Sequence, residues 1–324
     1  MKMRPTEPET TERVAPAGAP RLCALPNGVE VAYQSRAELG HFYEDIFEKQ
    51  VYVRHGVALR EGDCVFDVGA NIGLFTLFAH RKANGLRVYA FEPAPPLFRL
   101  LSFNVARHGV NARLFNCGVS DGPKTAEFTF YPRSSGMSSF YADEREEKEA
   151  LRAIMLNELR AGAPGMEELM RHADDLLEAR FRSETFECRL RPLSEVIAEE
   201  RVERIDLLKV DVQKSELDVL EGLSEPDWPK VRQIVIEVHD LRGRLAHITG
   251  LLERRGFRVV AEQDGHYEGS VLYNLYAVRP PAPDPPAGRE AKGPPLEEIR
   301  ERARRQEAAL NRRKQLSGLR RKES

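Results

Sequence analysis

Cys64-Val-Phe-Asp67-Val-Gly69-Ala-Asn71-Ile-Gly73-Leu-Phe-Thr76 is the stretch of this chain on which the fold turns. A short apolar run, a turn with two glycines and a segment of helical period from Ile72 to Ala83 predict a buried strand feeding straight into a helix. Glycine at such a turn lets the backbone bend sharply and approach a ligand closely, and the first helical amides point at a carboxylate or phosphate. Glu92 follows Gly73 by nineteen residues and closes a second strand, 87–91. A carboxylate there can accept both ribose hydroxyls of a nucleoside. A lone glycine pair reads as an ordinary βα turn; strand, glycines, helix, second strand and terminal Glu together are far more specific.

The same alternation continues outward. A helix from Pro95 to Arg107 opens on prolines, which suit a first helical turn. Strands are expected at 112–116, 205–210, 231–238, 257–260 and 271–278, with helices from Ser215 to about Gly222 and from Leu241 to Arg255, the latter capped by Gly256. Alternating strands and helices demand a mostly parallel sheet covered on both faces, a doubly wound α/β fold. The last two strands are close together around a glycine-containing loop, so the last is read as antiparallel.

Two stretches interrupt the pattern. Residues 125–130 alternate like an extra strand and lead into the polar turn 134–139; strand character returns at 185–190. Residues 143–182 are highly charged and helical in period, with Leu151, Ile154, Met155 and Leu159, then Met166, Leu169, Met170 and Leu176. They are read as two helices inserted between core elements, either a cap over the pocket or a solvated surface hairpin.

The ends are of different character. Residues 1–20, rich in Pro, Thr, Glu and Ala, are read as disordered. Residues 21–62 carry a hairpin around Pro26-Asn27-Gly28 and a helix with Leu39, Phe42, Tyr43, Ile46 and Phe47 on one stripe. That stripe reads as core packing, the alternative being that Tyr43 or His41 covers a ligand. The main domain is placed at 63–279, a Pro-rich linker at 280–295 and a basic helical tail at 296–324. The tail is either a solvated, fraying helix or a docking helix for an acidic partner.

Composition narrows the class. The 324 residues carry 49 Lys and Arg against 51 Asp and Glu, without the basic surplus of a nucleic-acid binder. No apolar run approaches the ~20 residues of a membrane span, and the first residues lack a secretory apolar core. Cys23, Cys64, Cys117 and Cys188 show no CxxC spacing, which argues against a zinc site or disulfide framework and fits a reducing cytoplasm.

The turn also selects its nucleoside. A dinucleotide fingerprint needs glycine in the middle position so that pyrophosphate can touch backbone. Here that position is Asn71, and Asp67 adds negative charge nearby. Carboxylates would repel a pyrophosphate but suit the ammonium and sulfonium of S-adenosylmethionine.

VFDVGANIGLFT, AFEP, FNCGVSDG, IDLLKVDVQKSELDVLEGL and IVIEVHD, in that order, resemble FkbM-type methyltransferases, class I S-adenosylmethionine-dependent O-methyltransferases. The resemblance covers roughly residues 25–279 and is closest to members that accompany polyketide and nonribosomal-peptide assembly. It implies a Rossmann-like fold and an acceptor hydroxyl on a small natural-product intermediate, free or carrier-bound. One departure is plain: many members have Glu-Gly where this chain has Gln213-Lys214, so any role of that carboxylate lapses here.

Methyl transfer from a sulfonium is an in-line displacement, in which the protein aligns the acceptor oxygen and helps remove its proton. In the expected fold Asp67, Gly69, Asn71 and Gly73 hold the methionine part and Glu92 the ribose. Asn116, Ser120 and Asp121 lie near the adenine, with an Asx-type turn as the alternative for Asp121. Lys209 and Asp211 end one strand, and Glu237, His239 and Asp240 the next. His239 is the candidate general base, since an imidazole titrates near neutrality; the alternative is a histidine bonding a nearby loop. Asp211 would orient it or bind acceptor hydroxyls, and Lys209 forms an ion pair or stabilises an alkoxide. A hard-cation site of Asp211, Glu237, His239 and Asp240 is set aside, because metal-dependent relatives use an Asp-Asn pair and this chain has none. N- or carboxyl-methylation in the same pocket, and a non-catalytic docking module, are the competing readings.

Overall fold

Burial decides which strands are central. In a computed structural model, which describes residues 20–280 except 161, 163–164, 265–266 and 268–269, the run Cys64–Val68 is buried at every position. Such a strand must have neighbours on both edges and layers on both faces. The disorder expected over 1–20, the linker from 281 on and the basic tail lie outside the described residues, Pro20 and Pro280 apart.

In chain order the elements are β1 (Arg21–Ala24), β2 (Glu30–Tyr33), α1 (Arg36–Tyr43), β3 (Cys64–Val68), α2 (Leu74–Lys82), β4 (Arg87–Phe91), α3 (Pro95–Arg107), β5 (Ala112–Phe115), β6 (Gly118–Val119) and β7 (Lys124–Phe130). They continue with α4 (Glu144–Arg160), α5 (Met166–Arg171), α6 (Ala173–Arg180), β8 (Glu184–Arg191), α7 (Leu193–Glu199), β9 (Leu207–Val210), α8 (Glu216–Glu221), β10 (Gln233–His239), α9 (Arg244–Arg254), β11 (Arg258–Glu262) and β12 (Leu272–Val278).

Seven strands form the main sheet in the order β11-β12-β10-β9-β3-β4-β5. The five from β10 to β5 run parallel, and β12 lies antiparallel between β10 and β11. This is the doubly wound α/β architecture with an antiparallel last strand. Alternate residues of β3 supply the two cores. Val65 joins the layer of α2 and α3 and the β1–β2 hairpin, while Cys64, Phe66 and Val68 join that of α7, α8 and α9. All four cysteines are buried and none is in a disulfide.

The extra strand at 125–130 pairs antiparallel with β8 in a separate sheet, β6-β8-β7. Between β7 and β8 the described residues of the insertion form three helices where the periodicity suggested two. Gly165, left-handed at φ +84, opens α5, and His172 at φ −113 separates α5 from α6. Likewise α9 starts later than Leu241, because Arg242 and Gly243 are left-handed and Gly243 is its N-cap. The first helix ends at Tyr43 and passes into one wider turn, Glu44–Glu48. Among the described residues no helix is long and apolar enough to cross a membrane.

Candidate active site

Parallel strands deliver their following turns to one edge of the sheet, and that edge carries a cavity of about 840 Å³. The β3 turn forms one wall. Gly69 is left-handed at φ +79, and a Cβ on it would lie 1.8 Å from the Asp211 carbonyl oxygen, so no other residue fits there without moving the β9 turn. Asn71, at φ +51, donates its backbone N–H to Glu92 Oε2 at 2.8 Å. Glu92 Oε1 accepts the Ala94 amide at 2.9 Å. Burial pushes the Glu92 carboxyl up to about 7, against the two backbone amides that pull the other way. Each oxygen keeps a lone pair for a ligand hydroxyl.

Gly69, Asn71 and Glu92 line the cavity; Asp67 and Gly73 do not. The β3–β9 register sets Asp67 directly beside Lys209. Fully buried, Asp67 accepts the Thr76 hydroxyl at 2.7 Å and stands 3.2 Å from the Lys209 ammonium. Gly73 serves packing, since a Cβ there would meet Leu101 at 2.7 Å. Asn116, Ser120 and Asp121 also lie off the cavity. Asn116 donates to the Glu92 and Pro93 carbonyls, and Ser120 donates to Asp121, which is exposed and paired with Lys124. Their neighbours Cys117, Gly118 and Val119 take the wall position instead and make it apolar.

The other wall comes from the ends of β9 and β10. Lys209 is buried, donates to the Gly69 carbonyl at 2.8 Å and stands 3.6 Å from Asp211. Burial alone would lower its pKa, but Asp67 and Asp211 more than offset this, so it stays charged. That ties both turns to one cation. Asp211 accepts the Tyr52 hydroxyl at 2.9 Å, and Gln213 donates to Glu237 at 3.0 Å. Burial first, and the Asp211 charge second, raise the Glu237 carboxyl above the ordinary range.

His239 lines the same wall, 5% exposed. Its Nδ1 lies 2.7 Å from Glu216 Oε1, which turns Nε2 into the nitrogen available to a ligand. Glu216 also takes the Arg244 guanidinium at 2.6 Å and the Lys214 amide at 2.9 Å. Burial works against the Glu216 charge, but His239 and Arg244 hold its pKa below the usual value. Burial likewise works against a charged His239, and the Glu216 hydrogen bond and charge win, raising it. So Glu216, not Asp211, orients the imidazole. Asp240 turns away to accept the Leu245 amide at 3.0 Å. Among the described residues no group of three or more His, Cys, Asp or Glu side chains is placed to hold a metal.

Four elements of the site escaped sequence reasoning: Glu38 on α1, Tyr52, Arg180 on α6 and Glu216. Glu38, Tyr52 and Arg180 lie outside the motifs, and Glu216 lies within the 205–223 motif without its role being legible there; each reaches the cavity region through tertiary packing. A fifth, Lys214, joins the cavity wall to the insertion through Glu146 and Glu147, both at 3.0 Å.

The cavity asks for a polar ligand. Among the described residues four buried side-chain atoms lack a hydrogen-bond partner, and three of them, Glu38 Oε2, Ser215 Oγ and Asn274 Oδ1, belong to residues that line it. The fourth, Asp67 Oδ1, has the Lys209 ammonium. Such groups cost about 1–3 kcal/mol each until a partner arrives.

Residues 67–259 match the family described as the methyltransferase FkbM domain. The chain is 45% identical over 257 residues to 31-O-demethyl-FK506 methyltransferase FkbM of Streptomyces tacrolimicus, covering 79% of this chain and 95% of that one. It is 44% identical over 263 residues to the AMB antimetabolite synthetase AmbE of Pseudomonas aeruginosa, spanning 79% of this chain and 12% of that much longer one. Methyltransferase sdnD of Sordaria araneosa is 31% identical over 243 residues, 71% of this chain and 86% of its own.

Proposed function

The chain belongs to the FkbM methyltransferase family, with S-adenosylmethionine as cofactor, and from that premise we propose that it methylates a hydroxyl oxygen of a small natural-product intermediate. The relative whose name specifies a 31-O position supports oxygen as the acceptor atom, and the likeness to part of a synthetase supports an acceptor presented on a carrier.

The observation that carries the reading is the Glu216-backed His239 on the cavity wall opposed by the glycine turn and Glu92. S-adenosylmethionine, when bound, supplies an electrophilic methyl on a sulfonium. The chain's own tasks are to hold the acceptor oxygen in line and to take its proton. We assign proton removal to His239 Nε2, with Glu216 stabilising the imidazolium that forms. Asp211 and Glu237 face the same space and would accept hydrogen bonds from further hydroxyls of the acceptor. Lys209 would lock Asp67 and the Gly69 carbonyl, so that the two walls keep their spacing. Glu92 would take the ribose hydroxyls, and Gly69 and Asn71 the backbone side of the nucleoside.

The test is transfer of a labelled methyl group from the cofactor into extracts of the producing cell, with mass identification of the product. A base-stable methyl ether is expected. Label recovered as an ester or a methylamine overturns the oxygen assignment, and no transfer at all favours a cofactor-binding module. His239→Gln is expected to cut turnover by about 10²–10⁴-fold with cofactor affinity kept. Turnover unchanged between pH 6 and pH 9 removes His239 from the proton's path.

A further inference from the structure

The amino-acid arm of the donor needs a carboxylate for its ammonium and a cation for its carboxylate. The sequence offered Asp67 for the first task, but Asp67 is committed to Lys209 and Thr76 and does not reach the cavity. Glu92 is held beside the ribose position, and Asp211 and Glu237 belong to the opposite wall.

Another acidic group of the cavity is tied to the glycine turn through residues 135 and 136. Glu38 on α1 is 8% exposed and lines the cavity; its Oε1 accepts the Gly136 amide at 3.1 Å and its Oε2 has no hydrogen-bond partner. Burial raises its pKa, while the Gly136 amide, the Arg180 charge and the Ser135 hydroxyl oppose this. Even with the Arg180 charge and the Ser135 hydroxyl nearby, a buried carboxylate whose second oxygen has no well-aligned hydrogen bond is costly until a further cation completes it. Arg180, the last residue of α6, also lines the cavity. Its Nε donates to Ser134 Oγ at 2.5 Å, which leaves the planar Nη groups to grip a carboxylate.

The turn at 134–136 sets the spacing. Ser134 holds Arg180, Ser135 accepts the Asn71 side-chain amide at 3.2 Å, and Gly136 holds Glu38. Three consecutive residues thus place an anion, a cation and the glycine turn around one point. A side chain at Gly136 would have to displace the Phe42 ring, whose tip would lie 2.9 Å from its Cβ. We propose that Glu38 and Arg180 form the site for the α-amino-acid zwitterion of the donor, Glu38 taking the ammonium and Arg180 the carboxylate. The proposal rests on the cofactor reading above and gives the inserted helices a direct part in binding it.

The experiment is calorimetric titration of the full chain with three probes: S-adenosylhomocysteine, its decarboxylated analogue and methylthioadenosine, which has neither charge. Wild type is expected to bind the first at least tenfold tighter than the last. Glu38→Gln is expected to weaken S-adenosylhomocysteine and the decarboxylated analogue by about 10–100-fold, and Arg180→Gln to weaken S-adenosylhomocysteine alone. Methylthioadenosine should bind all three proteins alike, which also reports that each variant is folded. Equal losses for all probes, or none, overturn the zwitterion site and leave the cofactor reading standing. If a variant does not fold, wild type decides alone, since equal affinity for S-adenosylhomocysteine and methylthioadenosine overturns the proposal. Binding of none of the probes by wild type removes both.

Discussion

The turn after β3 and the turn after β9 leave neighbouring strand ends through left-handed backbone, and only the first is built on glycine. Gly69, Asn71 and Gly73 sit at φ +79, +51 and +90; Gln213 and Lys214 sit at φ +49 and +72. Each turn has its left-handed amide gripped by a buried glutamate, Asn71 by Glu92 and Lys214 by Glu216, at 2.8 and 2.9 Å. The glutamates differ in their other partners. Glu92 is buried among backbone amides and its pKa rises, while Glu216 adds a histidine and an arginine and its pKa falls. Glycine is used where space compels it, at the 1.8 Å approach to Asp211. A side chain is kept in strained backbone where it has a task, as Lys214 has with Glu146 and Glu147.

The largest effect should come from Gly69→Ala. A methyl group cannot share space with the Asp211 carbonyl, so the two turns must separate, at about 5 kcal/mol or more. A urea unfolding midpoint within error of wild type would mean that the turns are not in contact.

Glu216→Gln sharpens the contrast between the two glutamates. It removes a buried anion from His239 and Arg244 at a cost of about 3 kcal/mol. It also takes away what raises the imidazole, so the rising limb of the pH–rate curve should move to lower pH. Stability from the lowered Glu216 is present above the carboxylate range and lost as pH falls through it, and the variant should lack that acid loss. A pH–rate limb that stays in place separates Glu216 from the chemistry.

Glu92→Gln probes the opposite sign. The unfolded carboxyl ionises near 4.5 and the folded one holds its proton up to about 7, so the fold binds the extra proton in that window. Stability therefore falls as pH rises through it, by about 3 kcal/mol for this one group. Denaturant titrations at pH 4.5 and pH 8 should show a smaller fall in the variant by roughly that amount. An unchanged fall would show that Glu92 ionises normally in the fold.

What the chain disclosed in advance follows range. The alternation around 64–91 and the glycine turn are local patterns, and they locate the fold, the cavity edge, and Gly69, Asn71 and Glu92 on its wall. Asp67 was misplaced because its partner Lys209 is 142 residues away in sequence and arrives only through strand register. Asn116, Ser120 and Asp121 miss the wall by one or two residues, since side chains near a strand end alternate in direction and the pattern does not fix the phase. Glu38 and Arg180 lie outside the motifs and Glu216 is one of several charges inside one, and charge on a helix reads as solvated until tertiary packing buries it. Gln213-Lys214 registered only as a lost carboxylate; its backbone conformation was invisible.

The smallest effect is the most discriminating for the second turn. Lys214→Ala leaves the buried Glu147 without its ammonium and should cost about 2 kcal/mol. Lys214→Gly loses the same ion pairs but relieves a left-handed backbone, so it should be more stable than the alanine variant by about 1 kcal/mol. In both, amide exchange over Glu144–Arg160 should quicken relative to β3 and β9, because the lysine is what joins that helix to the cavity wall. Equal stability of the two variants would show that the β9 turn carries no strain, and unchanged exchange would show that the inserted helix is held by its apolar contacts and its ion pairs to α6. The β9 turn would then differ from the β3 turn only in residue type and not in function.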